Sequence, residues 1–132
     1  MSYDIYLKEP TTGEMASVPG HLMRGGTYKV EYDPETNRFV QALNTDAHIN
    51  ITYNYGSYYR EVYKDGIREI YGVSAADSIE ILEKMIQTIK DKYVIKATTE
   101  DYWAATPANA IKQLYQLIAL AKMRPDCVWA GD

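Results

Sequence analysis

Apolar and polar positions alternate at the start of the chain. Tyr3, Ile5 and Leu7 fall on one side of an extended backbone, Asp4 and Tyr6 on the other, which predicts a half-buried strand. Residues 9–14 (EPTTGE) turn the chain, and residues 18–26 (VPGHLMRGG) have no period and predict a loop. TYKVEY at 27–32 and RFVQAL at 38–43 flank DPETN, the pattern of a hairpin whose turn opens at Asp33-Pro34. HINITYN at 48–54 alternates again, with Ile49, Ile51 and Tyr53 on one face. After Asn54 the period changes. Tyr55, Tyr58, Tyr59, Val62 and Tyr63 follow helical spacing. Asn54 is the expected N-cap and Asp65-Gly66 the expected end.

The second half reads as helical. After a connector at 65–74, Ser74 caps a helix with Asp77 three residues on, and Ile79, Leu82, Met85, Ile86 and Ile89 form its apolar stripe. Residues 93–95 fit either a short strand or irregular structure. Thr106 and Pro107 begin a last helix, whose residues Ile111, Leu114, Tyr115, Leu117, Ile118, Leu120 and Ala121 cover more than half of its circumference. Arg124-Pro125 stops it, and the tail, with Trp129, is expected to fold back onto the body. The expected architecture is a single α+β domain over residues 1–132: a small antiparallel sheet in the N-terminal half, packed against two or three helices.

Composition sharpens this picture. The 132 residues are 46% hydrophobic and 24% charged, ordinary values for a folded domain. The aromatics are lopsided, 13 Tyr against 1 Phe and 2 Trp. Tyrosine has an apolar body and a polar tip, which suits half-buried positions and contact surfaces. A net charge of −4 argues against a general nucleic-acid binder, yet leaves room for a small anion met by two or three local cations. One cysteine and two histidines offer no disulfide and no Cys/His set of metal-ligand spacing. The N-terminus lacks a basic region followed by an apolar one, and no apolar run reaches the length of a membrane span. A cytoplasmic protein with no membrane association is expected, and the NIT sequon at Asn50 is a chance match.

Candidate chemistry is sparse. Cys127 follows a helix end, where a thiolate is not favoured. His21 and His48 have no sequence-level partners, and the pairs Asp65/Glu69 and Glu100/Asp101 read as solvated faces. RGGTY at 24–28 is the nearest thing to a phosphate loop, but it lacks the Lys-Ser/Thr of such loops and leads into a strand; a glycine turn is the simpler account. Asn50, Thr52 and Asn54 share one strand face if the alternation holds, next to an expected helix N-terminus where an anion could sit, with Tyr55 or Tyr58 supplying a ring for stacking. Trp103 precedes the last helix, Asn109 lies in its first turn, and Arg124 follows its end. No cofactor is indicated.

HLMRGGTY, NITYNYGSYY, GIREIYG, DYWAATPANA and LYQLIALAKMRPDCVWAGD together resemble a family of small, uncharacterised phage and prophage proteins of Gram-positive bacteria. The likeness runs over nearly the whole chain. It departs at Ala108 and Cys127, where glycines are expected, and in a longer segment at 28–49. The resemblance implies no catalytic residues. It implies a phage accessory protein of the host cytoplasm, of a kind that often counters host defence. Two functions follow. One is a non-enzymatic binder sequestering a small nucleotide-type signal through Arg24, Asn50, Asn54, Tyr55, Trp103, Asn109 and Arg124, with a homo-oligomer expected. The other is an inhibitor that binds a host defence or nucleic-acid-processing protein through its acidic, tyrosine-rich surface.

Overall fold

The structure, a computed structural model, describes residues 1–26, 29–96 and 101–132, with the backbone alone of Lys29. It is an α+β fold. Strands β1 (Ser2–Lys8) and β6 (His48–Thr52) pair antiparallel, with Ile5 opposite Ile49 and Tyr3 opposite Ile51. β7 (Val128–Gly131) adds to the other edge of β1, giving the order β6-β1-β7. The alternation in β1 works as expected: Tyr3, Ile5 and Leu7 are buried and Asp4 is exposed. The tail does fold back, as a strand. Trp129 is fully buried, and its Nε1–H donates to Ser78 Oγ at 2.7 Å, which itself donates to the Ala75 carbonyl.

The helices cover one face of this sheet. α2 (Ala75–Lys92) begins at Ser74, whose side chain accepts the Asp77 N–H. α3 (Pro107–Met123) begins at Thr106, whose side chain accepts the Asn109 N–H, with Pro107 in the first turn. Both starts are as the sequence predicts, and α2 buries Leu82, Met85, Ile86 and Ile89. Tyr115 departs from the expected buried stripe of α3: it is half exposed and accepts from Lys90 Nζ.

The junction after β6 differs in detail. Thr52, not Asn54, is the cap: its Oγ1 accepts the Asn54 N–H at 3.3 Å. A 3₁₀ turn at Tyr53–Tyr55 leads into a short α1 (Gly56–Arg60), and the chain turns again well before Asp65. Gly66 starts a second 3₁₀ turn, Gly66–Ile70, and is not a helix stop. That turn buries Ile67 and Ile70, so the supposed connector is core. Tyr55 and Tyr59 are fully buried, with Tyr58, Val62 and Tyr63 packed around them.

The segment expected to be a loop contains β2 (Ser17–His21), which pairs with β5 (Asn44–Asp46). The pairing is irregular and the strand carries Pro19 and Gly20, which hides its alternation. His21 closes it: Nε2 lies 2.9 Å from the Asp46 carbonyl and Nδ1 accepts the Met23 N–H, so both ring nitrogens are occupied. The hairpin of β3 (Lys29–Asp33) and β4 (Arg38–Ala42) has the expected turn. Asp33 accepts from the Glu35 amide and the Thr36 hydroxyl, and Asn37 takes the left-handed conformation, at φ 55°. Thr27 and Tyr28, assigned to this hairpin from the sequence, lie outside the described residues, as does Glu100. Residues 94–96 are irregular.

Candidate functional site

Two loops meet at the free edge of β6. The first is the Met23–Gly26 turn. Gly26 N–H donates to the Met23 carbonyl at 3.0 Å, and Gly25, at φ +83°, holds the third position, where a type II turn needs glycine. The turn is fastened on two sides. Asn50 N–H donates to the Gly25 carbonyl at 2.7 Å. Gln116 of α3 accepts the Arg24 N–H at 2.8 Å and donates to the Arg24 carbonyl at 2.9 Å. A β-carbon at Gly25 would lie 2.2 Å from the Asn50 carbonyl oxygen, so the close approach itself requires glycine. RGG is therefore a docked glycine turn. Two of its amides, those of Arg24 and Gly26, are spent on protein acceptors.

The second loop, residues 101–105, enters α3. All five of its carbonyls accept from side chains beneath it. Asn109 Nδ2 donates to the Asp101 and Ala104 carbonyls, each at 3.1 Å. The Tyr55 hydroxyl donates to the Tyr102 carbonyl. Asn54 Nδ2 donates to the Trp103 carbonyl at 2.8 Å and the Tyr58 hydroxyl to the Ala105 carbonyl at 2.9 Å. Asp101 Oδ1 accepts the Trp103 N–H. The short segment after β6 thus forms a cradle of donors for the loop, and its tyrosines combine a buried ring with a hydroxyl at the correct height. Burial pushes Tyr55 up to about 12, so its hydroxyl keeps its proton and stays a donor.

Between the two loops lies an open cavity of about 520 Å³ lined by Arg24, Gly25, Gly26, Asn50, Tyr102 and Trp103. Arg24 lies 5.1 Å from the centre of the Tyr102 ring, a cation–π distance. Trp103 packs edge-on to Tyr102 at 4.9 Å and is 53% exposed. The Tyr102 hydroxyl accepts from buried Gln113, which also accepts from Gln116, linking the two loops.

Arg24, Asn50 and Trp103 thus come together, as residues from three separate segments. Asn54, Tyr55 and Asn109 lie under the loop as supports. Tyr55 offers no stacking face, because its ring is fully buried and meets Tyr102 at 86°. Arg124 does not join the cavity. It follows the far end of α3, and 17 helical residues span roughly 25 Å. There it donates to Glu9 at 2.7 Å, to Asp126 at 3.1 Å and to the Ser17 carbonyl at 3.0 Å. Glu9, Asp126 and Cys127 bring ligand-type atoms within 4.8 Å of one another, and Arg124 forms an ion pair with each of the two carboxylates. Burial pushes the Cys127 thiol up, away from the reactive thiolate.

Tyr102, Gln113 and Gln116 escape the sequence reading, while Gly25 and Gly26 form the glycine turn that is its simpler account of RGG. The glutamines carried a signal: they are polar residues three apart, interleaved with the apolar face of α3. No protein-family model, curated protein or solved structure matches the chain. No helix among the described residues is long and apolar enough to cross a membrane.

Proposed function

We propose that the chain is a non-enzymatic binder of a small nucleotide-type ligand, acting as a phage accessory protein that sequesters a signal of host defence. One observation carries this reading: Arg24, Asn50 and Trp103 converge on one cavity with Tyr102. Arginine matches phosphate with a fork of donors, an exposed indole stacks a base, and an amide reads a base edge. A volume of about 520 Å³ lies in the range of small-molecule pockets. The 101–105 loop is held by its own chain, through side-chain bonds to all five of its carbonyls.

The two tryptophans make the test direct. Trp129 is fully buried and Trp103 is half exposed, so quenching on ligand addition reports Trp103. Titration with a panel of mono-, di- and cyclic nucleotides should quench this emission and raise the melting temperature. Trp103→Ala should weaken binding by about 1–3 kcal/mol, the loss of one stacking contact. A panel without any response refutes the proposal.

A second function, inhibition of a host protein, is favoured by the β3–β4 hairpin. Val30, Tyr32 and Phe39 lie on one face of it and are all exposed, with Tyr32 opposite Phe39. Exposed apolar patches of this kind mark contact surfaces. If this surface is the functional one, Phe39→Ser abolishes capture of a host protein and Trp103→Ala does not.

A further inference from the structure

The polarity of Asn50 in the cavity is set by the neighbouring strand. Asn50 and Asp4 stand opposite each other in the β1–β6 pair. Asn50 Nδ2 donates to Asp4 Oδ1 at 2.7 Å and to Ser2 Oγ at 2.8 Å. An ionised carboxylate only accepts, so the half of the amide that faces Asp4 is the NH₂ group and not the carbonyl. Both amide hydrogens are then committed. His48 Nε2 lies 3.3 Å from the same Asp4 oxygen and helps to hold the carboxylate in place. What Asn50 offers to a ligand is its carbonyl oxygen, an acceptor. Arg24 is the one cation among the described residues lining the cavity, which matches a single phosphate.

We infer that the cavity takes a nucleoside monophosphate-type ligand whose base turns an N–H donor edge toward Asn50, and that Asp4 is the positioning residue imposing this choice. This rests on the nucleotide-binding function proposed above. Asp4 needs no contact with the ligand. It acts by forbidding the rotated amide, which would present a donor and favour the opposite edge.

The test compares adenosine and guanosine 5′-monophosphates with purine riboside 5′-monophosphate, read by Trp103 quenching. The last has the same ring system, sugar and phosphate, but neither an amino group nor a ring N–H on its pairing edge. For the unaltered protein, the better of the two natural nucleotides should bind about five- to tenfold tighter than the analogue, the worth of one hydrogen bond. In Asp4→Ala the amide is free to rotate, and this ratio should fall toward one. Removing a negative charge also strengthens phosphate binding generally, but equally for every ligand, so the ratio is unaffected by it. Asn50→Ala should erase the ratio as well. Asp4 is exposed, so its replacement leaves the core intact. Equal binding of analogue and natural nucleotides by the unaltered protein overturns the inference and leaves the broader function standing. A ratio preserved in Asp4→Ala overturns the role of Asp4. Absence of quenching by every nucleotide in the wider panel overturns both.

Discussion

Gly13 and Gly25 have similar positive φ angles and opposite surroundings, so one substitution at each separates conformational strain from close approach. Gly13 has φ +74° and a β-carbon there meets nothing within 4 Å; Gly25 has φ +83° and a β-carbon 2.2 Å from the Asn50 carbonyl oxygen. Alanine in the left-handed region costs about 1–2 kcal/mol, offset by about 0.4–1 kcal/mol from the stiffer unfolded chain. Gly13→Ala should therefore cost between about 0 and 1.6 kcal/mol. At Gly25 the same strain applies, and the turn must also lift off β6. That loses the Asn50 to Gly25 bond and the two bonds with Gln116, about 3 kcal/mol at about 1 kcal/mol each. For a chain of 132 residues each kcal/mol lowers the melting temperature by about 3–4 °C. Thermal unfolding should thus show a loss of no more than about 6 °C for Gly13→Ala and of about 10 °C or more for Gly25→Ala. Only the latter should also lose nucleotide quenching of Trp103, since it displaces Arg24. Equal losses would show that the turn is not docked as described, and the cavity would lose one of its walls.

Asn109→Ala removes both donors to the Asp101 and Ala104 carbonyls from a buried position; it should cost about 2–3 kcal/mol in urea unfolding and make Trp103 more accessible to acrylamide, whereas Arg124→Ala should leave that accessibility unchanged. Ser78→Ala strands the buried indole N–H of Trp129, for an expected loss of about 1–3 kcal/mol in the same assay; no change would mean that the indole finds another acceptor. Alkaline stability follows from the tyrosines. Tyr55 and Tyr71 are each raised to about 12, chiefly by burial, while unfolded tyrosine ionises near pH 10. Between about pH 10 and 12 the unfolded state releases protons that the folded state retains, so stability is intact below pH 10 and falls through this window. Urea midpoints should decline there and decline less in Tyr55→Phe; a flat profile would contradict the burial of these hydroxyls.

The legible parts of the fold were those specified by local chemistry. Ser74 and Thr106-Pro107 start their helices as read, because caps act within one turn. β1 shows its period because one face is buried and the other is wet. The junction after β6 was misplaced by two residues because Thr52 and Asn54 are both good caps, and only packing of Tyr55 and Tyr59 chooses between them. β2 escaped because an irregular strand with Pro19 and Gly20 has no period to detect. Half of the candidate site was visible as residue types, yet their roles were not. Asn54, Tyr55 and Asn109 are donors to backbone carbonyls, and no residue type in 101–105 advertises an inward-facing carbonyl. Arg124 could have been set aside from sequence, since the length of α3 separates it from Trp103.

The cradle under residues 101–105 has a further consequence for how this protein can change. Its five donor bonds reach carbonyl oxygens, which every amino acid carries, and ask nothing of the side chain at Trp103. The shape of the loop is therefore inherited from the segment after β6 and from α3, while the group displayed at its tip is free to vary. Such a division lets the side chain at position 103 change without renegotiating the fold. It also makes this loop a natural place to graft a chosen side chain.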